Sequence, residues 1–119
     1  MAKSVLRDKS YEFAIQVVKL SQSLQTEKKE FILSRQLLRS GTAIGALLRE
    51  AEYGQSNSDF IHKMSISLKE ANETEYWLML LKDTGFLEQE LYDKLITTCK
   101  ELIAMLVSSI KTLKLKANS

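Results

Sequence analysis

The chain has 119 residues, of which 45% are hydrophobic and 27% charged, a balance typical of a folded globular domain and not of a disordered chain. The 17 Lys and Arg residues exceed the 15 Asp and Glu residues by a net charge of only +2, far below that of a protein that coats nucleic acid. No apolar run is long enough to span a membrane, no apolar leader opens the chain, and the single cysteine, Cys99, excludes an internal disulfide framework. We therefore expect a cytoplasmic protein with no membrane partner.

The lack of proline and the presence of only four glycines favour long helices over a β-fold, whose turns need these residues. Apolar residues recur with a helical period in four segments. The first predicted helix covers about residues 8–25 and carries two apolar stripes. One stripe is Phe13, Val17, Leu20 and Leu24, and the other is Tyr11, Ala14, Ile15 and Val18.

The second predicted helix covers about residues 30–53 and has one clear apolar face. That face is formed by Leu33, Leu37, Ser40, Ile44, Leu47, Leu48 and Ala51. Gly41 and Gly45 lie inside this helix, where each glycine costs about 1 kcal/mol relative to alanine. We expect these glycines to allow close approach of a neighbouring helix, and we expect Gly54 to end the helix.

The third predicted helix covers about residues 57–83. Ser56 followed by Asp59 is a variant of the capping box, although Asn57 or Ser58 would also serve as the cap. The core stripe is predicted to be Phe60, Met64, Ser67, Leu68, Ala71 and Leu78. Gly85 is expected to end the helix, with Phe86 placed for a Schellman contact.

The fourth predicted helix covers about residues 88–115. Its core stripe is predicted to be Leu91, Leu95, Thr98, Leu102, Leu106, Ser109 and Leu113. Four amphipathic helices with short connectors predict an all-α fold, an antiparallel up-down-up-down four-helix bundle that forms a single domain over residues 1–119.

Apolar residues beyond these core stripes predict a second buried surface and hence a homo-oligomer. On the fourth helix, Ile96 and Ile110 belong to this surplus. The residues that we assign to the oligomer interface are Ile66, Trp77, Leu80, Ile103 and Val107. The alternative is a monomer whose core is wide and irregular.

Basic residues cluster in two places. Arg35, Arg39 and Arg49 lie on the back of the second helix, and Lys111, Lys114 and Lys116 lie near the end of the chain. These side chains are suited to phosphate groups. For the arginines the alternative is ion pairing, and the available carboxylates are Glu50, Glu52, Glu70, Glu73 and Glu75. Glu75 projects from the core face of the third helix and needs a partner, for which an arginine of the second helix is a candidate.

Catalytic patterns are absent from the sequence. One histidine, one cysteine, no Glu-x-x-His and no glycine-rich phosphate loop predict no catalytic residue, no metal, no cofactor and no enzymatic activity. His62 leaves a phosphotransfer module as a remote alternative, but the sequence after it departs from the His-x-x-Lys-Gly pattern of such modules. The aromatic residues are not interleaved with basic residues in the pattern of RNA-stacking proteins.

Three segments carry a resemblance to a known family: residues 36–46 (QLLRSGTAIGA), 50–56 (EAEYGQS) and 58–78 (SDFIHKMSISLKEANETEYWL). They resemble the small bacterial four-helix bundle proteins named after 23S rRNA intervening sequences. These are similar to the accessory variability protein of diversity-generating retroelements. The resemblance covers about residues 11–113. It implies an up-down-up-down bundle, a homopentameric ring and nucleic-acid binding through a basic surface.

The resulting hypothesis is a non-enzymatic, oligomeric helical bundle that binds RNA or DNA and assists a nucleic-acid-processing protein. The predicted phosphate contacts are Arg35, Arg39, Arg49, Lys111, Lys114 and Lys116. The alternative is a protein–protein interaction scaffold with no nucleic-acid role.

Overall fold

A computed structural model describes residues 2–117, and within that range the chain forms four helices and no strand. The helices are α1 (Ala2–Glu27), α2 (Ile32–Glu52), α3 (Asn57–Asp83) and α4 (Gln89–Ala117). They form a rod of 51 × 22 × 21 Å, in which α2 packs against α1 and α3, and α4 packs against α3 and α1. The predicted all-helical four-helix bundle is confirmed.

The first two helices differ from their predicted bounds, and each difference has a local cause. Helix α1 begins at Ala2 instead of residue 8, because no helix breaker precedes Asp8 and the buried Leu6 extends the core stripe two turns before Phe13. Helix α2 begins at Ile32 instead of residue 30. Glu30 lies before the helix, and its carboxylate accepts the N–H groups of Ile32, Leu33 and Ser34 at 3.2, 3.0 and 2.8 Å.

Helix α3 has the predicted bounds, and both of its ends are held as the sequence indicates. The Ser56 hydroxyl accepts the N–H of Asp59 at 3.1 Å, so Ser56 is the N-cap. At the other end Gly85 adopts a φ of 84°. The N–H of Phe86 then donates to the carbonyl of Leu81 at 2.9 Å, and the N–H of Gly85 donates to Lys82 at 3.1 Å. These two bonds are the Schellman motif.

The two glycines inside α2 lie where α1 approaches most closely. A Cβ at Gly41 would lie 2.8 and 2.9 Å from the two Cγ atoms of Val17, which is far inside van der Waals distance. A Cβ at Gly45 would lie 3.2 Å from the Ser10 hydroxyl. The expectation that these glycines permit close helix packing is therefore confirmed.

The core follows the predicted stripes on α2 and α3, but not throughout α1 and α4. On α1 only the stripe that contains Phe13 and Val17 is buried, whereas Tyr11 and Ile15 are exposed. On α4, Ile96 and Ile110 are buried core residues, not surplus apolar surface, whereas Leu91 is exposed. Because α4 packs more closely against α3 than against α1, its buried face is turned toward α3. The buried side chains of α4 are Leu95, Ile96, Cys99, Leu102, Leu106 and Ile110.

Buried hydroxyl and thiol groups join α3 to its neighbours. The Ser67 hydroxyl donates to the carbonyl of Ile44 at 3.0 Å, and the Thr74 hydroxyl lies 2.9 Å from that of Ser40. The Cys99 thiol of α4 donates to the carbonyl of Ala71 at 3.3 Å. Since all of these polar atoms are buried and bonded, they carry little desolvation penalty and set how α3 lies along α2 and α4.

Candidate nucleic-acid interface

The three arginines on the back of α2 have different surroundings. Arg35 and Arg49 are exposed, and neither forms an ion pair or a side-chain hydrogen bond within the described part of the chain. Arg39 instead reaches α3. Its Nη1 lies 3.1 and 3.2 Å from the two carboxylate oxygens of Glu70, and its Nη2 lies 2.6 Å from Glu73. Two arginines are thus free for a ligand, and the third is engaged.

The ion pairs of Arg39 change its electrostatic contribution. The hydrogen bond to Glu70 raises the pKa of Arg39, and the charges of Glu70 and Glu73 raise it further. Two carboxylates beside one guanidinium leave no net positive field at this point of the surface. The alternative that an arginine of this helix pairs with carboxylates is thus confirmed for Arg39. The expectation that Glu75 has an arginine partner was wrong, because the ammonium of Lys100 on α4 lies 4.0 Å from its carboxylate.

The lysines predicted to bind phosphate lie on the last turns of α4. Lys111, Lys114 and Lys116 are all exposed. Lys116 lines a cavity at this end of the bundle together with Arg7 and Glu52. Arg49 borders the same two residues from the back of α2, whereas Arg35 lies 14 residues away, about 21 Å along the helix axis. The six predicted side chains therefore do not form one continuous patch.

The end of the bundle that carries Arg49 also holds two exposed tyrosines that sequence reasoning did not connect with it. Tyr11 of α1 is 62% exposed, and Tyr53, directly after α2, is 81% exposed. Both line an open notch of about 340 Å³ together with Arg49, Asp8 and the Arg7–Glu52 ion pair. Because the two tyrosines are far apart in sequence, only the packing of α1 on α2 brings them to one place.

The predicted oligomer residues are only partly accessible. Ile66, Trp77, Leu80 and Ile103 are half-buried, and Trp77 and Ile103 pack against the core. The indole N–H of Trp77 is buried and has no hydrogen-bond partner among residues 2–117. Val107 is 44% exposed.

Two exposed apolar side chains on α3, Tyr76 and Met79, lie outside the set assigned to the oligomer interface. Met79 lies one turn from Glu75 and one turn from Lys82, which contact Lys100 and Tyr92 of α4. Met79 therefore lies on the flank of α3 that faces α4. Ile103 and Val107 of α4 add partly exposed apolar surface beyond Lys100, and the Glu75–Lys100 contact separates them from Met79. On α1, Tyr11 and Ile15 lie one turn apart and form an exposed apolar strip.

The rod has two further concave regions, one of which borders the notch at Arg7 and Glu52. A groove of about 790 Å³ runs between α1 and α4, with Leu20 and Leu91 among mostly polar side chains. A cavity of about 460 Å³ lies at the end of the bundle where α1 and α3 begin and α2 and α4 end, and Leu6, Leu48 and Met64 form part of its wall. Within residues 2–117 no group of three or more ligating side chains could hold a metal ion, and no helix is both long and apolar enough to cross a bilayer.

Comparison with known proteins extends this description. The sequence profile of the 23S rRNA-intervening sequence protein family matches residues 3–108. The fold is similar to a crystal structure from Bacteroides thetaiotaomicron, described as a protein with unknown function from the S23 ribosomal protein family. That protein is 51% identical, the match covers 93% of this chain and 99% of that chain, and the TM-score is 0.91. The comparison with curated proteins found no match.

Proposed function

Because the chain belongs to the 23S rRNA-intervening sequence protein family, we propose that it is a non-enzymatic helical bundle that binds RNA or DNA through basic surface side chains. The proposal includes a cytoplasmic setting and an accessory role beside a nucleic-acid-processing protein. The observation that carries it is the pair of exposed arginines, Arg35 and Arg49, with no carboxylate partner in the described residues. An unpaired guanidinium binds phosphate without first giving up an ion pair.

The exposed lysines at the end of α4 add to this proposed surface. Lys111, Lys114 and Lys116 lie at the end of the bundle that also carries Arg49. Arg39 contributes less than the other two arginines, since a phosphate would have to compete with Glu70 and Glu73. The proposed phosphate contacts are thus Arg35, Arg49 and the three lysines, with Arg39 in a structural role.

We further propose that the helices alternate in direction and that the bundle assembles as a homopentameric ring. Arg7 near the start of α1 pairs with Glu52 at the end of α2 at 3.0 Å, which supports opposite directions for these two helices. A closed ring needs two different surfaces on each subunit, and the exposed apolar side chains of α1 (Tyr11 and Ile15) and of α3 and α4 (Met79 and Val107) offer two such surfaces. In a ring the basic side chains repeat around the axis, so a modest charge per chain produces a larger summed field.

The test of nucleic-acid binding is fluorescence anisotropy of labelled structured RNA and duplex DNA at low and near-physiological salt. We expect binding that weakens steeply as salt rises, because each phosphate contact releases counterions. Changing both Arg35 and Arg49 to Gln should lower the slope of log affinity against log salt by about 2, or about 1 per contact.

Arg39→Gln is the matched control on the same helix, and we expect it to alter the salt slope by less than either of the other arginine changes. If Arg39→Gln weakened binding as much as Arg49→Gln, the assignment of roles within α2 would be wrong. If the unmodified protein bound neither nucleic acid at low salt, the proposed function would be wrong.

A second candidate function, a protein–protein interaction scaffold, is favoured by the exposed apolar side chains of Met79 on α3 and Val107 on α4. It predicts association that persists at high salt, because burial of apolar surface is not screened by ions. Loss of that association in Val107→Glu, with no nucleic-acid binding at any salt, would support the scaffold over the first proposal.

A further inference from the structure

The notch between α1 and the end of α2 has the composition of a site for an unpaired nucleotide. Tyr11 of α1 and Tyr53, directly after α2, both line this notch, and both rings are largely exposed to solvent. Three of the four tyrosines, Tyr11, Tyr53 and Tyr76, are exposed, and two of these three line the notch. Exposed aromatic rings provide stacking surfaces for bases, and every base has a face that can stack on them.

The charges in the notch are distributed in a way that would orient such a ligand. The Arg7 guanidinium donates two hydrogen bonds to Glu52, at 3.1 and 3.0 Å, so these two charges offset each other. Arg49 is left as an available cation in the notch, and Asp8 is a carboxylate that forms no ion pair within the described residues. A phosphate is therefore attracted to the Arg49 side and repelled from the Asp8 side.

From this arrangement we propose that the notch holds an unpaired nucleotide of single-stranded RNA or DNA. Its base stacks on Tyr53 and Tyr11, and its phosphate is bound by Arg49. The inference rests on the proposed function and narrows it, because it selects single strands over duplexes. A base inside a duplex is stacked on its neighbours and presents only its edges, so it has no free face for the tyrosines.

The test compares short labelled single strands, of RNA and of DNA, with duplexes of equal phosphate number, using fluorescence anisotropy at one salt concentration. We expect the unmodified protein to bind the single strands more tightly than the duplexes. Tyr53→Ala should weaken single-strand binding about five- to tenfold, the loss expected for one stacked base, and should leave duplex binding and the salt slope unchanged. Tyr53→Phe keeps the ring and should stay within about twofold of the unmodified protein.

Tyr76→Ala is the matched control, because Tyr76 is an exposed tyrosine on α3, outside the notch. Tyr53 follows α2 and is mostly in solvent, so Tyr53→Ala is expected to keep its helical circular dichroism. Equal single-strand affinity in Tyr53→Ala and the unmodified protein, with binding that still weakens with salt, would overturn this inference and leave the proposed function standing. A lack of binding to single strands and duplexes alike would overturn both.

Discussion

Gly41 offers a test of how tightly α1 and α2 are packed. At a helix position with no close neighbour, a glycine-to-alanine change such as Gly41→Ala would raise the free energy of unfolding by about 1 kcal/mol, because alanine is the better helix former. Here the new methyl group would lie 2.8 and 2.9 Å from the Cγ atoms of Val17. Val17 is fully buried and β-branched, so its side chain cannot swing away without changing to a poorer rotamer. Overpacking of this kind costs about 1–3 kcal/mol.

The expected net effect is a loss of about 1 kcal/mol, which corresponds to a fall of about 4 °C in the melting temperature for a chain of this length. In a Val17→Ala background the clash is removed, and the same Gly41→Ala change should stabilise the protein by about 1 kcal/mol. The two backgrounds thus differ by about 2 kcal/mol in a double-mutant cycle. Urea unfolding followed by circular dichroism at one matched protein concentration measures all four proteins. A Gly41→Ala change that stabilises both backgrounds equally would refute the close approach of α1 and α2.

Three further predictions concern burial, capping and assembly. Burial raises the pKa of the Cys99 thiol from 9.0 to about 12, and the charge of Glu75 adds to the effect. Since the thiolate is the reactive form, Cys99 should resist thiol reagents at pH 8 until the protein unfolds. The same shift means that the unfolded state loses its thiol proton first, and the contribution of Cys99 to stability should decline as pH rises from about 9 toward 12. Ser56→Ala removes the N-cap of α3 and should cost about 1 kcal/mol in urea unfolding, whereas Ser56→Asp should largely preserve stability. Light scattering coupled to gel filtration should give several times the 13.6 kDa of one chain. A Met79→Glu, Val107→Glu double variant should move the mass toward that of one chain, because it places charge on the two exposed apolar side chains proposed to be covered in the assembly.

The sequence was sufficient to predict the helices and most of the core because these depend on local signals. Helical periodicity identified all four helices, and Ser56 and Gly85 correctly marked the two ends of α3. The start of α2 was less accurate because a glutamate before a helix can belong to the helix or cap it from outside. Glu30 caps it, and only the positions of the three N–H groups distinguish these cases.

The site was less predictable, because its parts come from different helices. A helical wheel places Arg35, Arg39 and Arg49 on one side of α2, but it cannot show that Glu70 and Glu73 of α3 reach Arg39 and not the other two. Likewise nothing in the spacing of Tyr11 and Tyr53 indicates that they border one notch. The sequence features that set them apart were the second apolar stripe of α1, which contains Tyr11, and the place of Tyr53 as the last residue of the predicted second helix, directly before Gly54.

The groove between α1 and α4 bears on how the native bundle fluctuates. The first and last helices pack least closely of the four neighbouring pairs, and the ion pair between Lys9 and Glu101 is exposed, so it adds little to their association. By contrast, α2 and α3 share buried hydrogen bonds. Partial unfolding therefore costs least when α1 separates from α4, and amide hydrogens along that seam should exchange with solvent before those of α2 and α3. The bundle thus consists of three closely packed helix pairs and one loosely packed pair, α1 and α4.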